Sequence, residues 1–191
     1  MTDLRNFRLG HIGIFVHDLP RMAAFYQRVF GFTVTDAETK SDGSRRSVFL
    51  SRNPEEHHQF VLVSEPDTDT SARQVIQQIS FRTDSLPEVR RTYFVLRGEH
   101  LSRIDPVTHG TTWSVYFRDP ENNRVEIFAY TPWYITQPFS APVDYNKPDD
   151  LIRQETEQLC RAQPGFRMMS DWRAEIADRM RQGVAAIPRP T

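Results

Sequence analysis

Residues 116–128 read YFRDPENNRVEIF. Two runs of β-favouring residues flank a turn rich in Asp, Pro and Asn, so the stretch predicts a strand, a tight connection and a second strand. Glu126 breaks the pattern by sitting between Val125 and Ile127. A carboxylate in a strand that otherwise reads as buried must be hydrogen-bonded or paired with a cation, because desolvating it alone is costly. The surrounding chain therefore has to supply its partners.

Working outward from this hairpin, the chain repeats itself. A gapless shift of 67 positions (78 minus 11) pairs His11 with Gln78, Leu19-Pro20 with Leu86-Pro87 and Tyr26 with Tyr93. The same shift pairs Gly31 with Gly98, Ser47-Val48-Phe49 with Ser114-Val115-Tyr116, and Gln59 with Glu126. Each copy opens with an apolar run, HIGIFV or QISF, passes a polar turn into Leu-Pro, and continues with helical spacing to a glycine. In the first copy Asp18 suits the N-cap, Met22, Phe25, Tyr26 and Val29 form one apolar stripe, and Gly31 suits the left-handed C′ position. Three strands are expected after each helix, near 32–38, 45–51 and 57–63, then 100–104, 112–118 and 124–129.

The fold class is therefore α+β: two βαβββ modules forming a cupped mixed sheet, followed by a helical extension. The expected divisions are a first module over 1–64, a polar linker over 65–74, a second module over 75–131 and a C-terminal extension over 132–191. Asp149 and Ser170 are expected to cap two helices in that extension, over 149–162 and 170–182, which serve packing or dimerisation. A homo-oligomer is the expected assembly.

Composition narrows the partners. Lys and Arg total 24 against 25 Asp and Glu, a net charge of −1, and the signs are interspersed. No basic field suggests nucleic acid, and no apolar run reaches the roughly 20 residues of a membrane span. One cysteine, Cys160, excludes an internal disulfide framework, and no apolar leader is seen, so a reducing cytoplasm is expected. The partner is expected to be a small molecule.

Under the repeat, His11, Gln78, Glu126 and Gln59 become related positions that can face one cavity. They offer one imidazole, one carboxylate and two amides, a set that iron(II) or another divalent ion would satisfy. Each also has a structural reading: His11 as a strand-opening residue, and Glu126 as a partner of Arg124.

At these residues the sequence resembles the vicinal oxygen chelate superfamily, which includes glyoxalases, bleomycin-resistance proteins, fosfomycin-resistance enzymes and type I extradiol dioxygenases. Residues 8–130 carry the resemblance, and DPENNRVEIF is similar to its characteristic ending. Its extradiol branch is suggested by THGTTWSVYFRDPENNRVEIF, which places His109 before Tyr116 and Tyr116 ten residues before Glu126. The His-His pair of EEHHQFVLV is a second such feature.

The resemblance implies His11, Gln78 and Glu126 as metal ligands and Fe(II) as the metal, with another divalent ion possible. His58 would be the acid–base residue, while Tyr116 and His109 would hydrogen-bond the substrate. The implied partners are a small aromatic diol and dioxygen. Strict alternation from Gln59 would instead turn His57 toward the cavity, unless a bulge intervenes. Position 78 departs from the extradiol pattern, which has a histidine there, so His58 is an alternative third ligand. A glyoxalase-like lyase or isomerase and a non-catalytic binding protein are the alternative functions. Trp113, Phe117, Phe128, Trp133 and Tyr134 are candidates for an aromatic-friendly pocket.

Overall fold

Asp18 opens the first helix as its spacing predicts: the carboxylate accepts the Arg21 N–H at 3.0 Å. The helix closes at Gly31, which adopts a left-handed φ of 67° and returns its N–H to the Gln27 carbonyl at 3.0 Å. These elements come from a computed structural model, which describes residues 10–39, 45–64, 76–101 and 103–182. The expected linker at 65–74 lies outside the described residues. The chain divides into two compact units: one reaches Gln77 and also takes in Asp119–Asn123, and the other holds Gln78–Arg118 and the chain from Arg124 onward.

In the first unit β1 (Ile12–Val16) leads to α1 (Leu19–Phe30), then β2 (Thr33–Thr39), β3 (Arg45–Ser51) and β4 (Phe60–Ser64). The sheet order is β1-β4-β3-β2, with β1 and β4 parallel and the remaining pairs antiparallel. Met22, Phe25 and Tyr26 of α1 are buried together with Phe60 and Leu62 of β4. Tyr26 stacks on Phe30 and meets Phe60 edge-on at 4.7 Å.

The Asp119–Asn123 segment is built around one buried carboxylate. Asp119 accepts backbone N–H groups from Glu121 and Asn123, the Asn123 side-chain amide Nδ2 on both of its oxygens, and the Tyr26 hydroxyl at 3.0 Å. Burial raises its pKa, and the Asn123 and Tyr26 donors counter that rise. The neighbouring Glu121 carboxylate accepts the N–H groups of His17 and Asp18 at 2.8 and 2.6 Å. Asn122 takes the positive φ of 67° that this turn requires.

The second unit repeats the order: β5 (Ile79–Arg82), α2 (Leu86–Gly98), β6 (Ile104–Thr108), β7 (Thr112–Arg118) and β8 (Arg124–Tyr130). The extension adds β9 (Trp133–Tyr134), β10 (Ala141–Pro142), α3 (Asp149–Arg161), β11 (Arg167–Met168) and α4 (Met169–Gln182). The five-stranded order is β10-β6-β7-β8-β5, again with the first strand parallel to the last of its module. The α+β expectation of two βαβββ modules with a helical extension is met.

The extension is seated through its aromatics and polar tips. Trp113 Nε1 donates to Thr156 Oγ1 at 2.9 Å, and the fully buried Tyr145 donates its hydroxyl to the Ser114 carbonyl at 3.2 Å. Gly110 is obligatory here. Its φ is 72°, and an added Cβ would fall 2.3 Å from Ile135 Cδ1.

Three expectations need correction. The repeat is not gapless: Ile12 pairs with Phe60 but Ile79 with Val125, separations of 48 and 46 residues, because the turn before β4 is two residues longer than that before β8. The counterpart of Glu126 is thus Val61, which faces Phe49 as Glu126 faces Tyr116, and Gln59 is instead the turn residue whose side-chain oxygen accepts Arg52 N–H. Asp149 starts α3 but has no capping bond, since its carboxylate takes Arg90; α4 starts at Met169, one residue before Ser170. The strand expected at 100–104 runs instead over Ile104–Thr108.

Asp119→Ala would strand several donors of the 119–123 turn and the Tyr26 hydroxyl. We expect a loss of about 2–4 kcal/mol in urea-induced unfolding, against about 1 kcal/mol for Tyr26→Phe.

Candidate metal and acid–base site

Three adjacent strands place one polar residue each in line. Tyr116 of β7 lies opposite Glu126 of β8, and Ser80 of β5 is the partner of Glu126 on the other side. Gln78, two residues before Ser80, shares that face by strand alternation. Glu126 is only 7% exposed, and its hydrogen-bond donors among the described residues are uncharged. Ser80 Oγ donates to Glu126 Oε2 at 2.6 Å and Gln78 Nε2 to the same oxygen at 3.2 Å. Gln78 Nε2 also reaches Ser80 Oγ at 2.9 Å. Among the described residues Glu126 has no ion pair. Arg124 lies over the Tyr116 ring, its guanidinium carbon 4.6 Å from the centroid.

Tyr116 links this cluster to His109. The His109 Nε2 lies 2.9 Å from the Tyr116 hydroxyl, and Nδ1 lies 2.7 Å from the Phe139 carbonyl. A carbonyl only accepts, so Nδ1 carries a proton and a neutral His109 offers Nε2 as an acceptor to Tyr116. Glu126 is a second acceptor within reach, so the one hydroxyl proton goes either to His109 or to Glu126, while Gln78 donates to the phenol oxygen. Burial first, then the bond to Glu126 and its charge, raises the Tyr116 pKa far above the ordinary phenol value. Tyr116 therefore remains a proton donor at neutral pH.

The first unit carries an imidazole cluster. His11 immediately precedes β1, and its ring meets that of His58 edge-on with centroids 4.3 Å apart. His58 Nδ1 faces His57 Nδ1 at 2.9 Å, so one proton is shared between them, while His57 Nε2 lies 3.8 Å from Asp36 Oδ2. Of the two, His58 is the half-buried one beside His11, and His57 is exposed. Strict alternation does not govern the pair because β4 begins only at Phe60. Partial desolvation, then the neighbouring His11 and His57, lowers the His58 pKa and favours its neutral, proton-accepting form.

Sequence reasoning missed Ser80, the shortest donor to Glu126. The signal was present: it stands two residues after Gln78, on the same face of QISF. The expected aromatic pocket is largely core. Trp113 and Phe117 are almost fully buried, Trp113 meets Trp133 edge-on at 6.1 Å, and Tyr134 stacks on Trp172 at 5.1 Å.

Residues 8–127 match the family model described as the Glyoxalase/Bleomycin resistance protein/Dioxygenase superfamily. The chain belongs to this superfamily. Among its relatives, biphenyl-2,3-diol 1,2-dioxygenase 3 of Rhodococcus globerulus is 31% identical over 124 residues, covering 63% of this chain and 62% of the relative. Metapyrocatechase of Pseudomonas sp. (strain CF600) is 27% identical over 132 residues, covering 68% of this chain and 41% of the relative. The chain thus spans less than two thirds of the length of either.

Solved superfamily folds agree. A glyoxylase/bleomycin resistance protein/dioxygenase domain from Frankia sp. EAN1pec superposes with a TM-score of 0.54 at 17% identity, covering 65% of this chain and 98% of that one. The fosfomycin resistance protein FosX from Listeria monocytogenes, complexed with Mn(II), superposes with a TM-score of 0.51 at 21% identity, covering 65% and 93%. These likenesses concern the fold.

Among the described residues no three His, Cys, Asp or Glu side chains are grouped closely enough to hold a metal ion by themselves. The Glu126 cluster nevertheless has the chemistry of a hard-cation site: a buried carboxylate with uncharged donors, the Ser80 hydroxyl, and an amide whose rotation would present the Gln78 oxygen. Such oxygen donors fit a divalent ion of the magnesium, manganese or iron kind better than a thiolate-seeking one.

Glu126 also sets the state of Tyr116. Glu126→Ala should leave the protein folded by circular dichroism yet lower the Tyr116 pKa, because both its negative charge and its accepted hydrogen bond are removed. Ultraviolet titration of the tyrosinate band checks this, with Tyr116→Phe identifying the Tyr116 contribution.

Proposed function

We propose that the protein is a metal-dependent extradiol dioxygenase that opens the ring of a catecholic substrate with dioxygen. The observation that carries the reading is the buried Glu126 carboxylate held by Gln78 and Ser80 and joined through Tyr116 to His109. The two dioxygenase relatives support the same class. The proposed ligands are Glu126, Gln78 and His11, with His58 as the alternative to Gln78, and Fe(II) as the metal. Iron held by these residues would bind a catechol and dioxygen together and carry electrons between them.

The chain's own groups handle protons and orientation. His58 Nε2 or Nδ1, kept neutral by its surroundings, accepts a proton from one catechol hydroxyl and returns it as the ring opens. Tyr116 stays protonated and donates a hydrogen bond to the oxygen that gains charge. His109 fixes the position of the Tyr116 hydroxyl, and the Phe139 carbonyl fixes the His109 tautomer. Both atoms of dioxygen enter a product of the muconic-semialdehyde type. The proposed setting is the cytoplasm and the proposed assembly a homo-oligomer. Among the described residues no helix is long and apolar enough to cross a membrane.

A second reading follows from position 78. With Gln78 in place of a histidine, the donors gathered around Glu126 are all oxygens or an amide, a set equally suited to a glyoxalase-like lyase or isomerase that uses its metal as a Lewis acid. Oxygen uptake separates the two. Fe(II)-loaded protein should consume oxygen with simple or aryl-substituted catechols, and no uptake across such a panel would leave the non-oxidative reading.

Two substitutions refine the site. Glu126→Ala should abolish metal retention measured by elemental analysis after anaerobic purification, while Gln78→His should strengthen iron binding. For acid–base chemistry, the acidic limb of kcat/KM should lie below the ordinary imidazole value of about 6.5. His58→Gln should remove that limb and lower kcat by about 10²–10⁴-fold.

A further inference from the structure

The ring of His109 is held from the C-terminal extension. His109 stands just past β6, and the chain crosses back over it between Ile135 and Ala141. Both ends of that crossing are fixed: Ile135 is fully buried against Gly110, and Ala141 of β10 pairs with Thr108 of β6. Between them the Gln137 side chain bonds in both directions. Its Nε2 donates to the His109 carbonyl at 2.8 Å and to the Ile135 carbonyl at 3.4 Å, while its Oε1 accepts the Phe139 N–H at 3.2 Å. Carbonyls can meet only the N–H groups of an amide and an N–H only its oxygen, so these partners fix which way the amide points.

The same crossing borders open space. A cavity of about 670 Å³ is lined by His109 and residues 137–140, so on that side hydrogen bonds rather than packing set the shape of the loop. Gln137 ties the main chain of His109 to Phe139, the residue whose carbonyl receives the His109 Nδ1 proton.

We infer that Gln137 is a positioning residue: by clamping the 137–139 turn onto His109 it keeps the Phe139 carbonyl on Nδ1, and so holds His109 in the tautomer that accepts from Tyr116. The effect reaches Glu126. The Tyr116 hydroxyl has one proton and two acceptors within reach, His109 Nε2 and Glu126. With Nε2 unprotonated, that proton can turn to His109 when a cation occupies the carboxylate. With the proton on Nε2 instead, the imidazole can only donate to the phenol oxygen, which leaves the hydroxyl aimed at Glu126 in competition with the cation. This last consequence rests on the metal-dependent reading of Glu126, whereas the clamp rests on the hydrogen bonds alone. The extension, expected to serve packing or dimerisation, thereby acts on the site through one exposed glutamine.

Long-range proton–nitrogen NMR of the metal-free full chain reads the tautomer directly, because protonated and unprotonated ring nitrogens resonate far apart. Spectra are taken at about pH 8, above the ordinary imidazole pKa of about 6.5, and His109→Asn assigns the signals. The unaltered chain should show a protonated Nδ1 and a bare Nε2 at His109. Gln137→Met, similar in length but without these hydrogen bonds, should bring the Nε2–H form into view. Gln137→Glu, which loses the donated bonds, should do the same and serves if the first variant does not fold by circular dichroism. An unaltered chain already in the Nε2–H form, or folded variants that keep only the Nδ1–H form, overturns the inference.

Manganese(II) calorimetry tests the link to Glu126. Gln137→Met should weaken binding by about threefold or more, and in a Tyr116→Phe background, which has no hydroxyl proton to place, it should have no further effect. Weakening that persists in that background overturns the link. A tautomer change in a protein that binds no metal ion upholds the clamp and rejects the metal-dependent reading. Metal binding with an unchanged tautomer rejects the clamp and leaves that reading standing.

Discussion

Keeping the Glu126 carboxylate out of water constrains everything around it. A buried carboxylate needs donors on its oxygens, and β-sheet register delivers them: Tyr116 from one neighbouring strand and Ser80 from the other, with Gln78 added two residues earlier. All three partners are uncharged, so the negative charge is solvated by dipoles and remains available to a cation. An arginine in the same place would have neutralised it. Arg124 is near enough to do so in sequence, yet its guanidinium covers the Tyr116 ring instead. The carboxylate also acts on its surroundings, helping burial to hold Tyr116 in its protonated form.

The turn that precedes Glu126 has a separate structural duty. Asp119 gathers the N–H groups of its own turn and the Tyr26 hydroxyl, while Glu121 accepts the N–H groups of His17 and Asp18. The motif DPENNR is thus two devices in series: a carboxylate-centred turn belonging to the first compact unit, and a strand of the second that carries the candidate ligand. All three carboxylates accept protein donors, but those of Glu126 include a hydroxyl and an amide, Ser80 and Gln78, that carry oxygens of their own.

Helix signals were legible because they are local. Asp18, Leu19-Pro20 and Gly31 fix the beginning and end of α1 through capping and a left-handed residue, and all lie within a few positions of the bonds they make. Strand β6 was harder to place, because its partners β7 and β10 come from later in the chain. The gapless repeat hid a two-residue difference between corresponding turns. An even shift preserves which face a residue occupies, so it left the alternation intact while exchanging Gln59 for Val61 as the counterpart of Glu126. The aromatic residues could line a pocket, although core packing explains most aromatics in such strands, and burial assigned Trp113 and Phe117 to the core.

By itself the sequence determined the two βαβββ modules, both ends of α1 and the need of a lone strand carboxylate for partners. Those follow from periodicity, capping chemistry and the cost of burying charge, all written within short stretches of chain. Tertiary structure decided which side chains meet. It brought Ser80 to Glu126, turned His58 rather than His57 toward His11, joined His109 to Tyr116, and set Arg118 against Arg124. These outcomes depend on register and on turn length, and a difference of two residues in one turn is enough to change which groups become neighbours.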